Sequence, residues 1–256
     1  MQGEINMNEK HISNEQYGDF LKKVRISVIP TDYNKEFLQV AAHKEFEDLS
    51  VVAHLMAPQE DGSVKSFLVT SVGLDAMGIN QEKFMKDAIE ASEKNFPGKA
   101  APLPSYLFGQ DSPEDSFSAK IFVASMQDMN NGAAVMLYPD FMQKAAQEIG
   151  GNLYVLPSSR HEVLLMKEDP LFTLKDLKEV VHEVNRTEVA MEDRLSDNVY
   201  HYDAAERKLE IGEHYQERKA HEKESRQSVL GELSSNKAAA KSPVEKAARK
   251  KDEPAL

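Results

Sequence analysis

The sequence predicts an α+β fold: a mainly antiparallel sheet built from strand–strand–helix units, with helices packed on it. Three observations carry this expectation. Paired apolar runs followed by an amphipathic helix occur three times in the 256 residues. Links between paired runs hold turn residues, Asp61-Gly62 in one and Asn131-Gly132 in another, as hairpins require. The runs themselves are apolar on both faces, which predicts a largely covered sheet. The three units differ in length and do not match side chain by side chain, so the repetition is architectural.

Taken in order, residues 1–20 are a polar segment expected to fray. Residues 24–29, VRISVI, alternate apolar and polar, and Pro30 ends them. A short helix is expected over 34–42, with Phe37, Leu38 and Ala41 on one side. Strands follow at 49–57 and 66–72, both expected inside a covered sheet. A helix over 81–95 takes Asn80 as N-cap, buries Phe84, Met85, Ala88 and Ile89, and stops at Pro97-Gly98. Residues 97–118, with Pro97, Pro102, Pro104 and Pro113, read as a long loop.

The second unit is a strand at 119–126, a hairpin turn at 128–132 and a strand at 133–138. A helix at 140–149 completes it, with Phe141, Met142, Ala145, Ala146 and Ile149 inward and Gly150-Gly151 as its stop. The third unit is strands at 153–156 and 161–166, then a helix at 174–185 carrying a Leu174, Leu177, Val181, Val184 stripe. Thr173 and Asp176 form a capping-box pattern at its start. A small hairpin around residues 203–207 closes the domain. The organisation is therefore a polar segment at 1–20, one domain at 21–212 and a flexible, disordered or loosely helical tail at 213–256. Charged residues, Ala and Ser dominate that tail, which has too little apolar surface to offset its ordering entropy. Val229, Leu230 and Leu233 share a helical face there and are the tail's expected docking stripe for a protein partner.

Net charge is −12. The last 41 residues hold ten Lys/Arg against seven Asp/Glu, a net of +3, which leaves residues 1–215 at −15. Such a body repels phosphates, so it is not expected to bind nucleic acid. There is no Cys, which excludes disulfides and thiolate metal sites. No apolar run suits a signal peptide or a membrane span, so the chain reads as cytoplasmic and off the membrane.

The polar knot Pro157-Ser158-Ser159-Arg160-His161-Glu162 lies between two apolar runs. Ser158, Ser159, His161 and Glu162 are the residue types of a nucleophile, a base and an orienter. Neighbours along a strand point to opposite faces, so a triad cannot be local. A catalytic reading needs His43 or His54 to come from elsewhere. The other reading is a hairpin turn whose Ser hydroxyls bond nearby backbone, and it weighs more. His161-Glu162 begins like H-E-x-x-H, but position 165 is Leu and the run reads as strand. His43, His54 and His182 are scattered, so no metal site is expected. Glu45, Glu47 and Asp48 precede an apolar strand and are expected to be solvated. No phosphate-cradling Gly loop is present and no cofactor is expected.

Four blocks carry a family resemblance: 33–55 (YNKEFLQVAAHKEFEDLSVVAHL), 67–92, 132–166 and 180–203. In this order they resemble the uncharacterised bacterial domain-of-unknown-function family 5688, over roughly residues 25–211. A remoter similarity is to family 1444. The resemblance implies a bacterial protein of the kind found in gut anaerobes near mobile or conjugative elements. It implies no known activity and transfers no catalytic residue. The chain departs from the family pattern at Ala42-His43, where Pro-His is usual, and at Arg160, where Ile or Val is usual. It also looks short at the N-terminus, which would leave a sheet edge for a partner to cover. The function expected is a non-enzymatic cytoplasmic binding or accessory protein. The alternative is a hydrolase using the 157–162 turn.

Overall fold

The computed structural model describes residues 12–108, 120–157 and 159–239. The chain divides into two units, residues 1–213 and 214–256. The first is an α+β unit with two antiparallel sheets.

The first sheet has four strands: β1 (Val24–Pro30), β2 (His43–Phe46), β3 (Leu49–Pro58) and β4 (Val64–Leu68). β3 is the long central strand. β1 runs along one side of it, from Val24↔Leu55 to Pro30↔Leu49. β2 and β4 share its other side, β2 against Leu49–Val52 and β4 against His54–Pro58. The second sheet has six strands: β5 (Gly98–Pro102), β6 (Ile121–Met126), β7 (Leu153–Leu156), β8 (Val163–Lys167), β9 (Tyr200–Asp203) and β10 (Lys208–Ile211). Their order is β10-β9-β7-β8-β6-β5.

The inner faces of both sheets share one core. Val24, Ile26, Val28, Leu49, Val51 and Ala53 meet Ala124, Met126, Leu153, Val155, Leu165 and Tyr200. Two long helices close it: α4 (Gln81–Asn95) and α6 (Pro139–Ile149). The first has the predicted bounds and the Asn80 cap, and buries Phe84, Met85 and Ala88. The second ends at Gly150 with φ 100°, which a glycine adopts at no steric cost. The helix Leu174–Thr187 (α7) has the predicted Thr173–Asp176 capping box and buries Leu174, Leu177 and Val181. Val184 is left on its open side.

Several expectations are corrected. Residues 14–21 do not fray: Asn14–Leu21 is a helix (α1) with a capping box between Ser13 and Gln16. Phe20 stacks on Phe84 at 5.8 Å, and Tyr17 donates to Asp87 at 2.9 Å. The helix expected over 34–42 is only Lys35–Leu38 (α2), after a 3-10 turn over Asp32–Asn34. β2 is an additional strand, hidden in the sequence because an edge strand can be polar. Its hairpin turn, Glu47-Asp48, is tight, with Glu47 at φ 56°. β4 is not interior; four of its five residues are exposed. It is followed by a short helix, Ser71–Ala76 (α3). The segment read as a long loop contains β5 and a helix at Leu103–Phe108 (α5).

Residues 133–138 are not a strand either. Gly132–Leu137 is a 3-10 helix, buried from Gly132 to Met136. β6 already pairs with β5 and β8, so no sheet edge remains for this run. An apolar run buried on every side looks the same as strand or helix in sequence. The second strand–strand–helix unit therefore does not exist as such, and the repetition is confined to the first and third.

Polar groups join the two sheets. Asp48, expected to be solvated, accepts from Ser196 Oγ at 2.5 Å, from Asn198 Nδ2 at 3.1 Å and from the Tyr200 hydroxyl. Phe46 stacks on Tyr200 at 6.0 Å. The second unit is helical as far as Ala239, within the helix Gly212–Ala239 (α8). In it Arg218 pairs with Glu222 at 3.0 Å, one turn apart.

Asp48→Ala removes the acceptor for three side chains, including the buried Tyr200 hydroxyl. It is expected to lower unfolding free energy by about 2–4 kcal/mol, and Tyr200→Phe by about 1 kcal/mol, in urea titrations. Gly132→Ala is expected to be at least as damaging as Asp48→Ala. Its methyl would stand 2.6 Å from Met126 N and 2.7 Å from His161 O, both backbone atoms.

Candidate functional site

The turn at 157–162 joins β7 to β8. Pro157 ends the β7 side, and Ser158 lies outside the described residues. From Ser159 on, the polar groups bond within the turn and to its supports. The Ser159 hydroxyl donates to Glu162 Oε1 at 2.8 Å and accepts from the His161 N–H at 3.0 Å. Ser159 N donates to Glu162 O at 3.2 Å, closing the turn. Ser159 is buried. Arg160 N donates to Asp193 O at 2.8 Å, and its guanidinium pairs with the Asp193 carboxylate at 2.8 Å.

His161 is held between two supports. Its Nδ1 accepts from Asn131 N at 3.3 Å, and its Nε2 lies 3.5 Å from Asp193 Oδ1. Arg160 Nε also lies 3.4 Å from Nε2. Neither nitrogen is aimed at the Ser159 hydroxyl, whose proton goes to Glu162. His161 O accepts from Ser125 Oγ at 2.7 Å, and Arg160 O accepts from Ala133 N at 3.2 Å. Ser159, His161 and Glu162 are thus brought together, but as a hydrogen-bonded turn. His43 does not join them. It starts β2, where its Nδ1 donates to Ala41 O at 2.9 Å.

A Ser–His pair is present elsewhere. Ser27 Oγ on β1 lies 3.1 Å from His54 Nε2 on β3. Both face a cavity of about 60 Å³ lined also by Arg25, Met56, Ser66, Asn130 and Asn131. That volume suits a few waters; small-molecule sites run from about 300 Å³. Arg25, beside the pair, is 5% exposed. It bonds Asp128 through both terminal nitrogens, at 2.5 and 2.8 Å, and donates to Asn130 O. Its guanidinium also lies 5.5 Å from the Phe96 ring centre. The Arg25 hydrogen bonds hold the Asp128 carboxyl below the usual carboxylate range. Asn131 lines this cavity and donates to His161, so the cavity and the turn share one loop. The Ser27–His54 pair escapes sequence reading because its members are 27 residues apart. The available signal is the alternation of VRISVI, which puts Arg25 and Ser27 on one face.

Two larger hollows lie apart from this loop. One of about 680 Å³ is lined by Glu90, Glu93, Lys94, Asp140, Lys144 and Arg207. Part of its charge is engaged: Arg207 pairs with Asp140 at 2.8 Å, and Glu93 accepts from Phe141 N at 2.6 Å. The other, about 580 Å³, has Phe122, Ile149, Met166 and Phe172 among its lining, with Lys120 and Lys167. Among the described residues no three His, Asp or Glu side chains gather as a metal-holding group. No helix among them is long and apolar enough to cross a membrane. Val229, Leu230 and Leu233 fall on α8, and their side chains lie outside the described residues.

Two antiparallel sheets on one core, with helices packed on them, define an α+β protein. The chain belongs to the family of unknown function DUF5688, whose model matches residues 2–204. No curated protein and no solved structure matches it. The remoter similarity to family 1444 finds no support.

Burial, and secondarily the charge of Arg25, push the His54 imidazole below its ordinary value. The folded state therefore prefers the neutral ring. The resulting stability is present above the unfolded value of about 6.5 and is lost as pH falls from there through the folded value. Burial lowers His201 in the same direction. Urea midpoints are expected to drop between pH 7.5 and 5.5, and His54→Gln to make that drop smaller. An equal drop in the variant would remove His54 as a cause.

Proposed function

We propose that this protein is a non-enzymatic binding or accessory protein of the bacterial cytoplasm, working beside mobile-element functions. One observation carries this reading. The Ser159 hydroxyl, in the turn richest in catalytic residue types, donates to Glu162, and both His161 nitrogens face other partners. A serine nucleophile needs its proton aimed at a base and an open position for the reacting carbon. A turn that satisfies its own polar groups is a structural device and a rigid surface feature. The acidic body, −15 over residues 1–215, supports a protein partner over nucleic acid. The partner meets a sheet edge or the Val229, Leu230, Leu233 stripe.

A second reading, a hydrolase, rests on the Ser27–His54 contact of 3.1 Å and on the neutral imidazole that burial favours. Its weakness is the cavity of about 60 Å³. A fluorophosphonate probe and an ester and amide substrate panel, applied to the full chain, separate the two. No labelling and no turnover are expected. Labelling of Ser27 that disappears in His54→Gln would establish the hydrolase and end the binding-only reading.

A further inference from the structure

Among the described residues β4 pairs with β3 alone, on one of its two sides. Val69 N donates to Ala53 O and Gln59 N donates to Ser63 O, each at a directly opposed position. Antiparallel alternation then turns the backbone groups of Lys65 and Phe67 toward β3. Those of Val64, Ser66 and Leu68 point away from it, as an open row of donors and acceptors. Such a row is a template for another strand, and natural proteins usually block it. This one has Lys65 as its only charge and no proline.

The surroundings favour an apolar strand. Val64 is 54% and Phe67 52% exposed. At the far end of the edge Leu68 packs against the cluster of Leu38, Ala41 and Val52, and Phe37 and Val40, near Leu38 in the chain, are exposed. Val40 O accepts from Ser71 N at 3.1 Å, which brings exposed Val72 to the same place. The edge thus ends against a wall of exposed apolar side chains.

Charge selects the occupant. Glu36, Glu60 and Asp61 flank the edge on α2 and the β3–β4 turn, and Lys35 is already paired with Asp32 at 2.8 Å. The unit as a whole is strongly acidic. A second copy of the chain would bring the same negative charge to the interface, and a basic segment would be attracted. We propose that the free edge of β4 binds a basic, extended peptide segment of a partner protein as an added strand. Its alternate apolar residues would lie against Val64 and the Phe37–Val40 wall. This rests on the binding reading above and names its surface and partner class.

The test uses the full chain and a phage-displayed random dodecapeptide library. Ser66→Pro removes an outward N–H without touching the β3 ladder, and Ser66→Ala removes only the hydroxyl. Val64→Pro repeats the first change one pair along, should Ser66→Pro fail to fold. The expected result is enrichment of basic peptides with alternating apolar residues. They should bind wild type and Ser66→Ala equally, and the proline variants about tenfold or more weaker, the loss of a main-chain hydrogen bond or two. No enrichment, acidic peptides, or peptides that bind the proline variants equally would overturn the proposal. Sedimentation showing a dimer that Ser66→Pro dissolves would also overturn it, giving the edge to a second copy. None of these failures revives the hydrolase, which is decided by labelling of Ser27.

Discussion

The buried guanidinium of Arg25 is the constraint on which the polar turn and the loop beside it depend. Taking a full charge out of water costs several kcal/mol unless its donors are satisfied. Arg25 meets that requirement with two bonds to Asp128, one to Asn130 O and a position over Phe96. All three partners lie outside the sheet that carries it. The loop after β6 is therefore fixed against the side of β1. With Asn130 held, Asn131 sits at φ 50° and its N–H meets His161. Gly132 then passes so close to Ser125, Met126 and His161 that no side chain fits there. The polar turn at 157–162 is positioned by this sequence of contacts.

The residue types in that turn follow from its surroundings. β7 is buried throughout, and β8 at Val163, Leu165 and Met166. A turn between such strands has few waters to serve its backbone, so side chains must do so. Ser159 accepts from His161 N, and Glu162 accepts from Ser159. His161 accepts from the N–H of Asn131. The catalytic vocabulary of the sequence thus does structural work. The same logic governs Asp48: its three side-chain donors come from the segment leading into β9 and from Tyr200 at its start, so a carboxylate in a tight hairpin turn fastens one sheet to the other.

A contrast runs through the molecule. The polar groups between the sheets are densely partnered, while the far end of the first sheet is not. β3 extends beyond β1, whose pairing stops at Leu55, and β4 accompanies it outward with most residues exposed. On the opposite side, the N–H of Ile26 on β1 is answered by Ser92 Oγ of α4 at 3.1 Å, and that hydroxyl also meets Tyr138 at 2.7 Å. One edge of the sheet is thus met by a helix, while β4, among the described residues, pairs on one side only.

The sequence by itself determined the local structure. Asn80 and Thr173 begin their helices where a side-chain acceptor can meet orphan N–H groups, and Gly150 ends one where φ must be positive. The 153–156 strand, its partner (expected at 161–166, observed at 163–167), the closing hairpin, the α+β class and the family all follow from periodicity, turn chemistry and ordered blocks of residues. The Ser13–Gln16 capping box was equally legible, and was masked by the polar character of the residues around it. Tertiary structure alone decided the rest. Whether 133–138 is strand or 3-10 helix depends on both edges of β6 being occupied. Whether Asp48 is solvated depends on residues about 150 positions away. Ser27 meets His54 and Ser159 does not meet His43 because strand register, not chain proximity, sets which side chains share a face.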